Sequence, residues 1–176
     1  MSCALHHEVI FERPIEQVFE IATTMGHWPR WHPATHAVTG QTLEPGQLGD
    51  EADEKMLTAR FFPGRIVWRV VACDPPVGWA IIATRIEVPL LSRASVRVEY
   101  TLSEHARGTR FHRTFEYRLP RHLWLFDRLY FRKKMESESV EGLRRLRELI
   151  EAKPEEPRFG ASRQPATVDA SRSCAP

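Results

Sequence analysis

The chain has 176 residues, 42% apolar and 27% charged, with 25 Lys and Arg against 23 Asp and Glu for a net charge of +2. That balance fits one folded domain of about 100–200 residues and excludes wholesale disorder. The evenly mixed charges argue against a nucleic-acid footprint.

No stretch approaches the roughly 18 uncharged apolar residues of a membrane span. The opening residues lack the basic and apolar regions of a signal peptide. The three cysteines, Cys3, Cys73 and Cys174, are too few and too dispersed for a disulfide framework or a CxxC metal motif. A cytoplasmic protein with reduced thiols is expected.

Leu5–Phe11 reads as a first strand, with Val9 and Phe11 in one phase. Pro14 then opens a short amphipathic helix in which Ile15, Val18, Phe19 and Ala22 recur at helical spacing. A second helical turn is expected around Trp28–Trp31, limited by Pro33. Strands follow at His36–Thr42, Glu51–Phe61, Arg65–Cys73, Trp79–Val88, Ala94–Leu102 and Thr109–Leu119, separated by turn chemistry such as Pro45-Gly46, Pro63-Gly64 and Asp74-Pro75-Pro76. Six strands at this spacing make an antiparallel meander. Both faces of Glu51–Phe61 and Trp79–Val88 carry apolar residues, so their phases stay open.

From Arg121 to Lys153 there is no proline, and Leu125, Leu129, Val140, Leu143, Leu146 and Ile150 fall on one face of a continuous α-helix. Arg132 and Glu136 leave a polar gap in that seam. Residues 154–176 are mostly Pro, Ser, Ala, Arg and Glu and read as a flexible tail after a body of residues 1–153. The order strand, two short helices, six strands, long helix gives an α+β domain. Its sheet must bury one apolar face, and only the long helix can cover it.

Several of these runs resemble the START-like superfamily, also called SRPBCC. They are Phe11-Glu12-Arg13-Pro14-Ile15-Glu16-Gln17-Val18-Phe19, then Trp28-Pro29-Arg30-Trp31 with Pro33 as a W-x-x-W-x-P turn. Gly49-Asp50, Val70-Val71-Ala72-Cys73-Asp74-Pro75-Pro76 and Gly142-Leu143-Arg144-Arg145-Leu146 complete the likeness, over about residues 4–152. The resemblance implies a helix-grip fold, in which a seven-stranded antiparallel sheet wraps a long C-terminal helix around a cavity for a hydrophobic or amphipathic molecule. Bacterial members are often labelled polyketide cyclase/dehydrase-like. The same scaffold hosts lipid carriers, hormone binders, cyclases and chaperone activators, so the fold implies no single activity.

On the last strand Phe111, Arg113, Phe115 and Tyr117 share the apolar face, opposite Arg110, His112, Thr114, Glu116 and Arg118. A buried guanidinium needs a carboxylate, an anion or cavity water. Arg113 is therefore a candidate ligand anchor, against two bland readings: an ion pair with Glu136, or a rim arginine reaching solvent. Glu136 is a candidate cavity carboxylate, against a solvent-facing turn of the helix. Tyr100, inward beside Val98, and Tyr117 are candidate hydroxyl donors, against core tyrosines bonded to backbone. Trp28, Trp31 and Trp68 are cavity-lining or core residues. Val140, in the helix seam, joins the candidate lining.

His27, His32 and His36 lie close together but match no metal-ligand spacing, and no nucleotide or nucleophile motif is present. No metal and no cofactor are expected. The leading function is binding of a small hydrophobic or aromatic ligand, such as a lipid or polyketide. The alternatives are a cyclase/dehydratase-like enzyme using acid–base chemistry in the same cavity, or an interaction protein with a filled core.

The run Leu123-Trp124-Leu125-Phe126-Asp127-Arg128-Leu129-Tyr130-Phe131-Arg132-Lys133-Lys134 is apolar all round and then basic. Packing under loops of the body is its first reading. A lid or homodimer contact and, less favoured, a membrane-surface patch stand beside it.

Overall fold

The computed structural model describes residues 2–58 and 62–152. The proposed tail and the far end of the Glu51–Phe61 strand lie outside the described residues. Seven antiparallel strands form one sheet: β1 (Ser2–Phe11), β2 (Thr35–Gly40), β3 (Glu51–Thr58), β4 (Phe62–Asp74), β5 (Gly78–Glu87), β6 (Ser95–His105) and β7 (Gly108–Arg118). Their order is β1-β7-β6-β5-β4-β3-β2. Strands β2 to β7 are a plain meander, and β1 joins it beside β7. Helices α1 (Ile15–Thr23) and α2 (Trp28–Trp31) follow β1, and α4 (Arg132–Glu151) covers the inner face of the sheet.

Alternation explains which side chains meet the helix. Val98, Tyr100 and Leu102 on β6 and Phe111, Arg113 and Tyr117 on β7 are buried, as the period-two pattern predicts. On β5 the pattern changes phase. Val67 pairs with Arg85 but Trp68 pairs with Ala83, so Thr84 is an extra residue. Ile81 is inward before it, and Ile86 and Val88 are inward after it. A bulge that flips the face puts apolar residues in both registers, which is why the sequence left this strand open. On β3 the inward set is Ala52, Glu54 and Met56.

The strap from β1 to α1 ties the sheet to the end of the helix. Arg13 donates from Nε to the Ile150 carbonyl (3.3 Å) and from Nη2 to the Glu151 carbonyl (3.2 Å). These are carbonyls a helix end leaves unpaired. Thr109 Oγ1 donates to the Arg13 carbonyl at 2.7 Å. Gly108 beside it has φ +130°, and a Cβ there would lie 2.2 Å from the Phe11 oxygen, so only glycine lets the two chains meet.

The C-terminal region departs from one continuous α-helix. A 3-10 turn (Arg121–Leu123) leads into α3 (Trp124–Phe126) and then a π-helical turn (Asp127–Phe131) before α4 begins. A π turn is one residue wider than an α turn, so it rotates everything before it relative to everything after. The buried side is Leu123, Asp127, Phe131, Ser139, Leu143, Leu146 and Ile150. Leu125 and Leu129, expected in the seam, are turned to the surface, and Val140 lies past the edge of the buried arc. The π turn coincides with a buried bond: Tyr117 Oη donates to Asp127 Oδ1 at 2.6 Å.

Candidate ligand-binding cavity

Sheet and helix enclose a cavity of about 400 Å³. That is in the lower part of the range of small-molecule sites. An interaction protein with a filled core would not leave this space. Its walls are mainly apolar: Met56, Ile66, Ile81, Val98, Phe115 and Phe131 among others. The mouth is bordered by the 88–94 loop between β5 and β6, and by Phe126 and Tyr130 from the C-terminal region.

The register sets a polar row across this apolar wall. Trp79 pairs with Tyr100, Tyr100 with Arg113, and Arg113 with His7. Arg113 is 3% exposed. Its Nη1 donates to Ser139 Oγ at 2.7 Å, and its Cζ sits 5.4 Å from the Phe115 ring centroid. Its Nε is buried without a hydrogen-bond partner. Among the described residues no carboxylate makes an ion pair with it. The ion pair considered with Glu136 is corrected by the structure: Glu136, half-exposed, takes His7 Nε2 at 3.0 Å. The helix presents Glu136 toward the β1 edge, one turn away from Ser139. The rim reading fails too, because the guanidinium is enclosed.

Tyr100 is buried, stacked on Trp79 at 5.3 Å and tilted against Phe111 at 5.0 Å. Burial pushes its hydroxyl above the usual tyrosine range, while the adjacent Arg113 charge pulls the other way. His32 borders the cavity, part of its surface open to that space. Burial first, and then the positive charge of Arg113, lower its pKa from 6.5 to about 3, so the ring is neutral at physiological pH.

A second polar group faces the cavity from the far wing of the sheet. Glu54 on β3 accepts from Trp68 Nε1 at 2.8 Å and from Thr35 Oγ1. It is 2% exposed. Burial pushes its carboxyl up, Thr35 and Trp68 oppose this, and the nearby Glu138 charge adds to it. Three strands, β6, β5 and β4, separate β7 from β3 in the sheet. The cavity thus runs from an Arg113–Tyr100–Ser139 end to a Glu54 end.

Of the residues singled out in the sequence, Arg113, Tyr100, Tyr117, Phe115, Val98, Trp28, Trp31 and Trp68 all line the cavity. Phe111 is fully buried one layer beneath, edge-on to Phe11. Glu136 and Val140 stand outside it: Glu136 is bonded to His7 at the β1 edge and Val140 is exposed. Tyr117 does not point a free hydroxyl at the space. Burial and its bond to Asp127 raise its pKa far above the ordinary value. The indole nitrogens of Trp28 and Trp31 are buried donors without hydrogen-bond partners.

Sequence reasoning missed Ser139, Glu54 and His32 as cavity groups. A signal existed for Glu54, which falls in phase with Ala52 and Met56, but apolar residues on both faces of the strand left its phase open. Ser139 falls one turn before Leu143 on the same helical face, but a lone hydroxyl in an apolar seam carries no signal of its own.

A family model described as polyketide cyclase / dehydrase and lipid transport matches residues 2–151. The chain belongs to this family. Family membership and fold together support binding of hydrophobic ligands in general. No functionally curated protein matches the sequence.

Among solved structures, the chain is similar to the di-domain ARO/CYC StfQ from the steffimycin biosynthetic pathway, at 13% identity and a TM-score of 0.67. That match covers 84% of this chain and 50% of StfQ. A Rhizobium leguminosarum protein is similar at 13% identity and a TM-score of 0.66, covering 87% and 97%. Ara h 8.0201 is similar at 11% identity and a TM-score of 0.61, covering 85% and 98%. At these identities the likeness shows the helix-grip fold of this polyketide cyclase / dehydrase and lipid transport family member, and nothing of its ligand. Among the described residues no helix is long and apolar enough to cross a membrane.

Proposed function

We propose that the protein binds one small hydrophobic or aromatic molecule that carries a carboxylate, phenolate or carbonyl, seated between sheet and α4 with that acceptor on Arg113. The observation that carries this is a guanidinium enclosed in an apolar wall, with only the neutral hydroxyls of Ser139 and Tyr100 as partners and an Nε that bonds nothing. An enclosed charge of this kind is costly unless a complementary group meets it. The apolar walls supply affinity by removing ligand surface from water, and Arg113 with Tyr100 supplies orientation.

The test begins with native mass spectrometry of the purified protein and identification of anything released on denaturation. Titration with anilinonaphthalene sulfonate, an anionic aromatic probe, then measures the anchor. Arg113→Met should weaken binding at least about tenfold, the worth of a charge-assisted hydrogen bond, whereas Glu136→Gln should leave it unchanged. Equal affinity in Arg113→Met and the parent protein would reject the anchor.

The second reading is acid–base catalysis on a bound poly-carbonyl chain, and Glu54 is the observation that favours it. A carboxyl with a raised pKa at one end of a cavity and a cation at the other can move a proton while a carbonyl is held. Glu54→Gln should then abolish turnover of a poly-β-carbonyl substrate while probe affinity survives. Loss of both together would assign Glu54 to architecture.

A further inference from the structure

We propose that the mouth of the cavity docks on anionic phospholipid surfaces, through the 88–94 loop and the 121–134 helical segment. The two segments are neighbours. Leu90 and Leu91 border the cavity together with Phe126 and Tyr130, and Leu91 and Phe126 join the same apolar cluster.

Their apolar side chains are not packed under loops, the reading the sequence favoured. Leu90 is 68% exposed and Leu129 62%, and Trp124, Leu125 and Tyr130 are exposed beside them. These are five of the ten large exposed hydrophobic residues among the described residues, all on the two segments, with Leu90 and Tyr130 bordering the cavity itself. Scattered exposed leucines need no explanation, but a concentration of them does. Leu90 adds a backbone observation. It is the one non-glycine described residue with positive φ, at 67°. A leucine held in a conformation that favours glycine, with most of its side chain in water, is a strained position of the kind that clusters at functional sites.

Charge selects the partner. Arg93, Arg121, Arg128, Arg132 and Lys133 are all exposed, and none makes an ion pair among the described residues. The single carboxylate in the two segments, Asp127, is buried and bonded to Tyr117. Trp, Tyr and Leu interleaved with unpaired Arg and Lys is the composition of a surface that sinks its apolar side chains among headgroups and sets its cations on phosphates. A second copy of the chain fits worse, because a two-fold contact through this face would set these cations against their own copies. The docking surface goes beyond the cavity's proposed ligand and stands whatever that ligand is.

The experiment uses the full chain and phosphatidylcholine vesicles with and without phosphatidylserine. Co-sedimentation should require phosphatidylserine and fall at least about tenfold between low and high salt. Tryptophan emission should shift to the blue on binding, and the shift should shrink in Trp124→Phe. The triple variant Arg128→Glu, Arg132→Glu, Lys133→Glu should lose vesicle binding while keeping thermal stability and anilinonaphthalene sulfonate affinity. Arg97→Glu, on the outer face of the sheet, should lose none of it. Absence of sedimentation with phosphatidylserine vesicles overturns the proposal, as does equal binding by the triple variant. Self-association of the parent protein that Leu129→Ser abolishes, without vesicle binding, assigns the face to a second copy instead. Because probe affinity is read in the same variants, failure of docking and failure of the cavity reading are separate results.

Discussion

The two halves of the C-terminal helical region, 121–135 and 136–151, carry opposite surfaces on one continuous stretch of backbone. The later half is regular α-helix. It buries Leu143, Leu146 and Ile150, and its three arginines, Arg144, Arg145 and Arg147, are paired with Glu141, Glu148 and Glu151. The earlier half passes through 3-10, α and π geometry, exposes aromatic and aliphatic side chains, and leaves four of its five cations unpaired among the described residues. The difference teaches that helical pattern and helical role can separate. One half follows the rule of apolar inside and paired charge outside. The other breaks it at the opening of the cavity, where departures from local rules point to function.

The sharpest way to break this contrast is to truncate one leucine in each half. Leu146→Ala should cost about 2–5 kcal/mol. Leu129→Ala should change stability by less than about 0.5 kcal/mol, as for an exposed site. Denaturant unfolding of both variants gives the comparison, and similar losses would mean that the earlier half is packed after all.

Acid should come next. His32, just after α2, packs at a tilt against Trp31, which meets the later half at Gly142. With a folded pKa of about 3 against 6.5 ordinarily, the unfolded chain takes up the proton first. Stability is therefore complete above about pH 6.5 and is lost progressively as pH falls toward 3. Unfolding midpoints across that window should flatten in His32→Gln. A slope that persists would place the acid sensitivity elsewhere.

Tyr117→Phe leaves the Asp127 carboxylate buried without its donor and should cost about 1–3 kcal/mol. Hydrogen exchange should show the loss of protection in 121–135 and little change beyond Ser139. Uniform loosening of both halves would show that the π turn does not divide them.

The smallest effect is a gain. A Cβ on Gly142 would meet Pro33 Cδ and the Trp31 carbonyl oxygen at 3.5 Å, ordinary contact distances. Gly142→Ala should therefore stabilise the later half by up to about 1 kcal/mol through helix propensity alone, read as a higher thermal midpoint.

The same division marks what could be read from the sequence. Period-two runs on β6 and β7 placed Tyr100 and Arg113 inward correctly, because those strands carry no bulge and their outer faces are charged. Period 3.6 placed Leu143, Leu146 and Ile150, because α4 is regular there. Where the backbone changes its period, the reading failed. The π turn moved Leu125 and Leu129 outward, and the Thr84 bulge blurred β5. Glu54 was unreadable for another reason. Its two hydrogen bonds come from Thr35 and Trp68, and neither donor is near it in the chain. No local pattern encodes a buried carboxylate whose partners arrive from other strands.

The place of β1 in the sheet has a consequence for how the protein is made. The first strand pairs only with β7, Phe11 facing Thr109 and Ser2 facing Arg118. During synthesis at roughly 5–20 residues per second, its ladder stays unpaired for several seconds, until nearly the last strand has left the ribosome. Throughout that interval Leu5, Val9 and Phe11 have neither sheet nor helix to cover them, while β2 to β7 can form in sequence by hairpins. The first strand of the sheet to be translated is thus among the last to find its place, and nascent chains would show trapping of this strand by a chaperone or by a second copy before any defect in the meander itself.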